Sequence, residues 1–334
     1  MKTITTYNED LKLKWNALLH SCESYTFFQT PDCFELYAKV MGMEPFMLAL
    51  EDNNQLSAIV CGYITFEKNK IRNFFTRRAI IPGGIVVKHA ISERALRSFL
   101  TDLSVELNKM NAIYIEMRNY NSYDKYLQVF NDSKFVFQPH LNIHILTPDL
   151  DFVTRQLSAT KRRDIRLSEK NGVSWCLSSS EKDMKSYYEI LSELYRTKIK
   201  TPLFDFSFFR EIITKDYCRF FVVKYENEVI GGSLCVELDS KVLYEWFVCG
   251  LDGQIKNLFP STIATWAAIE YAAKKGLSHF DMMGAGKPNE SYGVRDFKLR
   301  FGGQLVEHGR FLHICNPILY YIGKQVVTFL KKMI

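Results

Sequence analysis

Four segments of this 334-residue chain gather residue types that can bind anions or move protons. The first is Lys161-Arg162-Arg163-Asp164-Ile165-Arg166, with Arg155 before it and Lys170 after it. Arg162 and Arg163 can grip a phosphate or carboxylate bidentately. The plain alternative is the solvated face of a short helix. The second segment runs from Tyr292 to Gly303 and holds Arg295, Lys298 and Arg300 among aromatic and apolar residues. A lysine in such company can stabilise a developing oxyanion. The alternative is an edge strand with outward cations. The third is Phe280-Asp281-Met282-Met283-Gly284, a strand that ends in glycines, where a backbone can approach a ligand. It is not a phosphate loop, because Asp281 stands where that loop needs its first glycine and Pro288 where it needs Ser or Thr. The fourth pairs Glu116-Met117-Arg118 with Leu243-Tyr244-Glu245-Trp246. Strand alternation puts Glu116 and Arg118 on one face, as substrate contacts or as a structural ion pair. Glu245 and Asp281 are the carboxylates able to serve as a general base.

Other chemistries find little support. There is no G-x-S-x-G elbow and no H-E-x-x-H motif. His140 and His144 would share a helix face, but Leu141 to Leu146 reads as a strand, so no metal site is expected. The eight cysteines include no C-x-x-C pair and several lie in apolar runs, which suits reduced thiols in a cytoplasmic setting. Lys plus Arg total 43 against 37 acids, and the resulting +6 permits a phosphate-bearing partner without pointing to DNA. The opening residues lack the apolar core of a signal peptide. No apolar run reaches the roughly 18 residues of a membrane span. In the tail, Ile318, Leu319, Ile322, Val326, Phe329 and Leu330 form a stripe beside Lys324, Lys331 and Lys332. That stripe suits a helix docked on the protein or resting peripherally on an anionic membrane.

The elements that must position these residues occur twice. Phe46 to Leu50 and Leu56 to Phe66 flank a polar turn and predict a β-hairpin. Ala95, Leu96, Phe99, Leu100, Leu103 and Leu107 predict a helix over 92–109, followed by a strand at Ala112 to Met117. The second copy has a hairpin from Phe220 to Leu238, a strand at Val242 to Val248, a helix over 261–275 stopped by Gly276, and a strand at His279 to Met282. Two further helices fit 181–200 and 206–215. The fold class is therefore α/β (α+β), with a mixed, partly parallel sheet in each of two tandem lobes. The boundary falls near Pro148-Asp149, giving lobes 1–148 and 149–334, with the C-terminal amphipathic helix in the second.

The duplicated lobes, the K-R-R-x-I-R segment, the strand ending Phe280-Asp281-Met282-Met283-Gly284, and above all Y-G-V-R-D-F-K-L-R-F-G-G resemble the Fem family. Phe27-Phe28-Gln29-Thr30 also fits that family's opening pattern. These peptidoglycan aminoacyltransferases have two lobes that each resemble the GNAT acetyltransferase fold. The resemblance implies attack of an amine on an aminoacyl-tRNA ester, with a phosphate-bearing, UDP- or lipid-linked muropeptide as acceptor. It implies no tightly bound cofactor and no covalent enzyme intermediate. The family's functional lysine falls on Lys298 and the carbonyl before it on Phe297. Further substrate contacts are expected from Arg118, Glu116, Arg162, Arg163, Tyr244, Trp246 and Arg295. The chain departs from the family at Tyr37 and at Leu203-Phe204, where family cations stand, and at Arg118, where an acid stands. It also lacks the helical arm that some members use for tRNA.

Two rival expectations follow. One is a CoA-dependent N-acyltransferase acting on a cell-envelope or polysaccharide precursor. That chemistry needs closely spaced glycines before the helix at 261, and Gly250 to Pro260 does not supply them. The other is a non-catalytic peptide- or glycan-binding relative.

Overall fold

The computed structural model describes residues 1–65 and 70–332, apart from the side chains of 70–72 and 326–332. Phe66 of the expected hairpin, and the side chains of Val326, Phe329, Leu330, Lys331 and Lys332 of the tail stripe, lie outside the described residues.

In chain order the strands are β1 (Lys2–Ile4), β2 (Glu44–Asp52), β3 (Gln55–Ile64), β4 (Arg78–Gly83), β5 (Val86–Val87), β6 (Tyr114–Asn119), β7 (Val136–Gln138), β8 (Leu141–Leu146), β9 (Ser174–Leu177), β10 (Cys218–Tyr225), β11 (Glu228–Leu238), β12 (Val242–Gly250), β13 (His279–Gly284), β14 (Gln304–Glu307) and β15 (Arg310–Ile314). The helices that matter for the site are α1 (Glu93–Lys109), α2 (Ala159–Lys170), α3 (Glu181–Leu194), α4 (Phe206–Ile212), α5 (Pro260–Lys275), α6 (Gly293–Leu299) and α7 (Pro317–Lys332).

The chain divides into two compact units, 1–139 with 308–334, and 140–307. The first sheet has the order β1-β2-β3-β4-β6-β15-β7, with β5 on β3, and the second β14-β8-β13-β12-β11-β10-β9. Each is antiparallel except at one pair, β4 with β6 and β12 with β13. A helix makes each crossover, α1 in the first unit and α5 in the second. The order predicted from the sequence is therefore present twice.

Local chemistry explains the repeat. The β2–β3 turn places Asn53 and Asn54 at φ 49° and 62°, and the β10–β11 turn places Glu226 and Asn227 at φ 50° and 67°. Two consecutive left-handed residues twist a turn to match the flanking strands, and asparagine tolerates that conformation best after glycine. Ser92 caps α1 by accepting from the Ala95 N–H. Pro260 opens α5 and Gly276, at φ 67°, closes it. Leu96, Phe99, Leu100 and Leu103 of α1 pack on Ile81, Ile115 and Met117 of the first sheet. Ile263, Ala267 and Ile269 of α5 pack with Leu243, Phe280 and Met282 of the second.

The boundary differs from the expectation. It lies at 139/140 rather than 148/149, and residues 308–334 return to the first unit. The cause is strand pairing: β15 is hydrogen-bonded between β6 and β7, whereas β8 joins β13 and β14. The C-terminal helix α7 thus belongs to the first unit. Among the described residues no helix is long and apolar enough to cross a membrane.

Candidate active site in the second unit

The parallel pair of the second sheet is short. Val242, Leu243 and Tyr244 pair with His279, Phe280 and Asp281, and the two strands then separate. Irregularities on both sides drive them apart. Cys235 faces Glu245 while Leu234 faces Phe247, so Trp246 is an extra residue that bends β12. Two residues of β13, Met282 and Met283, oppose Ile143 alone on β8, and Met283 sits at φ 58°. Bulges of this kind bend strands and re-aim side chains, and they are frequent beside active sites.

Lys298, on α6, fills the opening. Its ammonium donates to the Met282 carbonyl and, at 3.0 Å, to the Gly284 carbonyl. An ammonium has three donors, so one N–H remains. Lys298, Glu245 and Asp281 are all buried. Burial pulls the Lys298 pKa below its ordinary value, and the charges of Glu245 and Asp281 work against that pull. Burial pushes the Glu245 carboxyl up, and Lys298, Thr265 and Ser233 only partly reverse the effect. Glu245 Oε1 accepts from Thr265 Oγ1 at 2.9 Å and from Ser233 Oγ at 3.4 Å. Asp281 is engaged at both oxygens. Oδ1 accepts from the Met283 N–H at 2.6 Å, and Oδ2 lies 3.3 Å from His144 Nε2. Three of the sequence-predicted residues therefore converge around the separation of β12 and β13. An isolated buried carboxylate with a raised pKa is a better proton acceptor than an exposed one, and a buried ammonium is a strong electrostatic partner for an oxyanion.

The remaining expected residues fall differently. Phe297 precedes Lys298 on α6, so this segment is a short helix and not an edge strand. The Phe297 and Phe301 rings cage the ammonium of Lys161, at 3.5 and 4.5 Å from their centroids. Lys161 is buried, donates to Thr262 Oγ1 at 2.8 Å, and is lowered by burial to about 8. The sequence reading singled out its neighbours instead. Arg162 and Arg163 are exposed on α2; Arg162 donates to the Leu157 carbonyl at 2.5 Å and Arg163 to Asp164 at 2.8 Å. Lys161, Asp164, Ile165 and Ser168 form the buried face of α2, and their i, i+3, i+4, i+7 spacing was the available signal. Arg295 donates to the carbonyls of Ala285, Lys287, Pro288 and Glu290, which makes it the clamp of the loop after β13. Tyr244 is buried, and Trp246 packs on Phe208 of α4 and on Phe247.

The N-terminus of α5 is already capped from within. The Asp252 carboxylate accepts from the Ser261 N–H at 3.2 Å. A Cβ built on Gly250 would lie 2.5 Å from that same N–H nitrogen, so backbone packs tightly there.

Glu116 and Arg118 lie in the first unit and do share one face. Arg118 Nε donates to Glu116 Oε1 at 2.7 Å, and Arg310 Nη1 does the same from β15 at 2.7 Å. Arg78 approaches Glu116 Oε2 at 3.6 Å. Arg78 and Arg310 did not emerge from the sequence.

Comparison with known proteins now bears on this geometry. Residues 155–298 match the acetyltransferase (GNAT) domain family. The structure of FemX aligns with a TM-score of 0.69 at 15% identity, over 96% of this chain and 99% of that one. A tandem GNAT protein from the clavulanic acid biosynthesis pathway aligns at TM-score 0.61 and 9% identity, over 95% and 99%. L-PGS from Bacillus licheniformis aligns at 0.58 and 10%, over 93% and 96%. No curated protein sequence matches the chain. The matched domain spans β9 to β13 and ends on Lys298 itself. Residues 155–298, within the second unit, match the acetyltransferase (GNAT) family, which makes the protein an acyltransferase, and its fold is similar to that of FemX along nearly the whole chain.

Proposed function

We propose that the protein transfers an aminoacyl group from aminoacyl-tRNA to an amine of a phosphate-bearing peptidoglycan precursor. The observation that carries this reading is buried Lys298, held by the Met282 and Gly284 carbonyls where β12 and β13 part. Its remaining N–H faces the carbonyl oxygen of the donor ester and stabilises the charge that develops as the amine attacks. Glu245 takes the proton from the attacking ammonium, because its Oε1 is held by Thr265 and Ser233 and its pKa is raised. Asp281 is a positioning group that shapes the turn at Met283. The Phe297 carbonyl orients the amine. The C–N bond forms, the ester C–O bond breaks, the amine nitrogen gives its second proton to the departing ribose oxygen of the tRNA, and Glu245 later releases the first to solvent. The reading places the protein in the cytoplasm, where its substrates are.

The internal cap on α5 favours this donor over acyl-CoA. A helix N-terminus that is to bind a diphosphate needs free N–H groups, and here the Asp252 carboxylate, itself an anion, already accepts from the Ser261 N–H. The test is label transfer, with labelled aminoacyl-tRNAs and a muropeptide precursor pool in one reaction and labelled acetyl-CoA in a parallel one. Label passing from tRNA to precursor supports the reading. Label passing from acetyl-CoA alone overturns the donor assignment.

A further inference from the structure

We propose that Arg78, Arg118 and Arg310, gathered around Glu116 on one face of the first sheet, form a receptor for a phosphate or diphosphate group. The proposal rests on the function above only for the identity of the molecule that carries the group. The site itself is a property of the first unit.

The register brings the residues together. Arg118 of β6 lies directly opposite Arg310 of β15. Arg78 starts β4, the parallel neighbour of β6 on its other side. Like charges placed opposite each other across two strands destabilise a sheet. Glu116 bridges all three guanidiniums, at 2.7, 2.7 and 3.6 Å. One carboxylate offsets one charge, so two positive charges stay uncompensated within the cluster. A guanidinium offers more N–H donors than a shared carboxylate oxygen can accept. The side chains are accessible, with 25–31% exposure for the three arginines against 14% for Glu116. They are thus shielded enough for strong pairing and open enough for a ligand.

The electrostatics agree. Burial alone would raise the Glu116 carboxyl, yet Arg118, Arg310 and Arg78 hold it down at about 2. Burial and the charge of Arg118 lower the pKa of Arg310, so a second anion would relieve this site. Tyr63 and Tyr120 also act on Arg118. The geometry suits a dianion, because forked guanidiniums from two adjacent strands can each grip two oxygens. A purely structural ion pair would need one arginine for this glutamate.

The experiment is calorimetric titration of the full chain with pyrophosphate, and separately with UDP-N-acetylglucosamine, at fixed ionic strength set with chloride. Thermal unfolding in the same buffers reports on the fold. We expect saturable pyrophosphate binding, a rise in Tm with pyrophosphate, and a Kd weakened at least tenfold by Arg118→Met and by Arg310→Met. Arg118→Lys keeps the charge and the fold but loses the fork, and should weaken binding by a smaller factor. Glu116→Gln removes the competing anion, and should tighten pyrophosphate about tenfold while lowering Tm in chloride. Tighter binding of the UDP-sugar than of pyrophosphate identifies a nucleotide-linked ligand, and equal binding identifies the phosphate group itself. Absence of saturable binding in the wild type overturns the proposal. So does a wild-type Kd in folded Arg118→Met and Arg310→Met.

Discussion

The two units use the same topology and differ at one pair of strands. In the first, β4 and β6 stay in parallel register from Arg78 and Tyr114 to Gly83 and Asn119. In the second, β12 and β13 part after Tyr244 and Asp281. The zipped pair leaves its charges on the face of the sheet, where three arginines share Glu116. The parted pair admits a lysine from a later helix between the strands, flanked by two buried acids. A continuous ladder satisfies its own backbone and can only present side chains. An interrupted ladder leaves backbone carbonyls, here those of Met282 and Gly284, that recruit an ammonium. The bulge at Trp246 and the left-handed Met283 mark where two units built on the same plan diverge, the first proposed as a binding surface and the second as the reaction centre.

The comparison breaks most sharply at Lys298. Lys298→Ala should cut transfer by ~100- to 1,000-fold, the loss typical of one preorganised oxyanion donor. Steady-state rates on folded protein check this. Glu245→Gln comes next, with a loss of ~100-fold and a changed pH profile. In the wild type, activity should rise with pH as Glu245 loses its proton, above the ordinary carboxylate range of 4.5. It should fall as Lys298 loses its proton, below the ordinary 10.5. Glu245→Gln should remove the rising limb and keep the falling one.

The first unit should respond in stability more than in rate. The folded pKa of Glu116 lies at about 2, below the unfolded value near 4.5. Its stabilisation is therefore complete above pH 4.5 and is lost as pH falls toward 2. Glu116→Gln should cost about 1–3 kcal/mol at neutral pH and remove this acid sensitivity, as read from denaturant unfolding across pH. The smallest effect is expected at Arg295, which holds only the loop after β13. Arg295→Met should raise KM a few-fold and leave kcat nearly unchanged.

Much of this was legible in the sequence, and the failures have physical causes. The hairpins and the helices at 93–109 and 260–275 follow from local periodicity and turn chemistry, which one strand or helix contains. Glu245 and Asp281 were readable because each is a carboxylate set within an apolar strand, and Lys298 because it stands among apolar and aromatic residues in a glycine-bounded stretch. Lys161 was hidden inside a run of cations, where three exposed neighbours mask the one buried member. The helix at Gly293–Leu299 was masked by aromatic residues that also suit a strand, although Phe297 and Phe301 stand one helical turn apart. Arg310 could not have been assigned to Glu116, because 194 residues separate them and only the late pairing of β15 joins them. The same non-local pairing moved the unit boundary.

The most direct test is single-turnover transfer from labelled aminoacyl-tRNA to the precursor pool by wild type, Lys298→Ala and Arg118→Met, each checked for native folding. The account predicts that Lys298→Ala loses the chemical step even at saturating acceptor, while Arg118→Met keeps that step and loses acceptor affinity. Full single-turnover rate in folded Lys298→Ala would contradict it, because the interrupted ladder of the second unit would then not be the reaction centre.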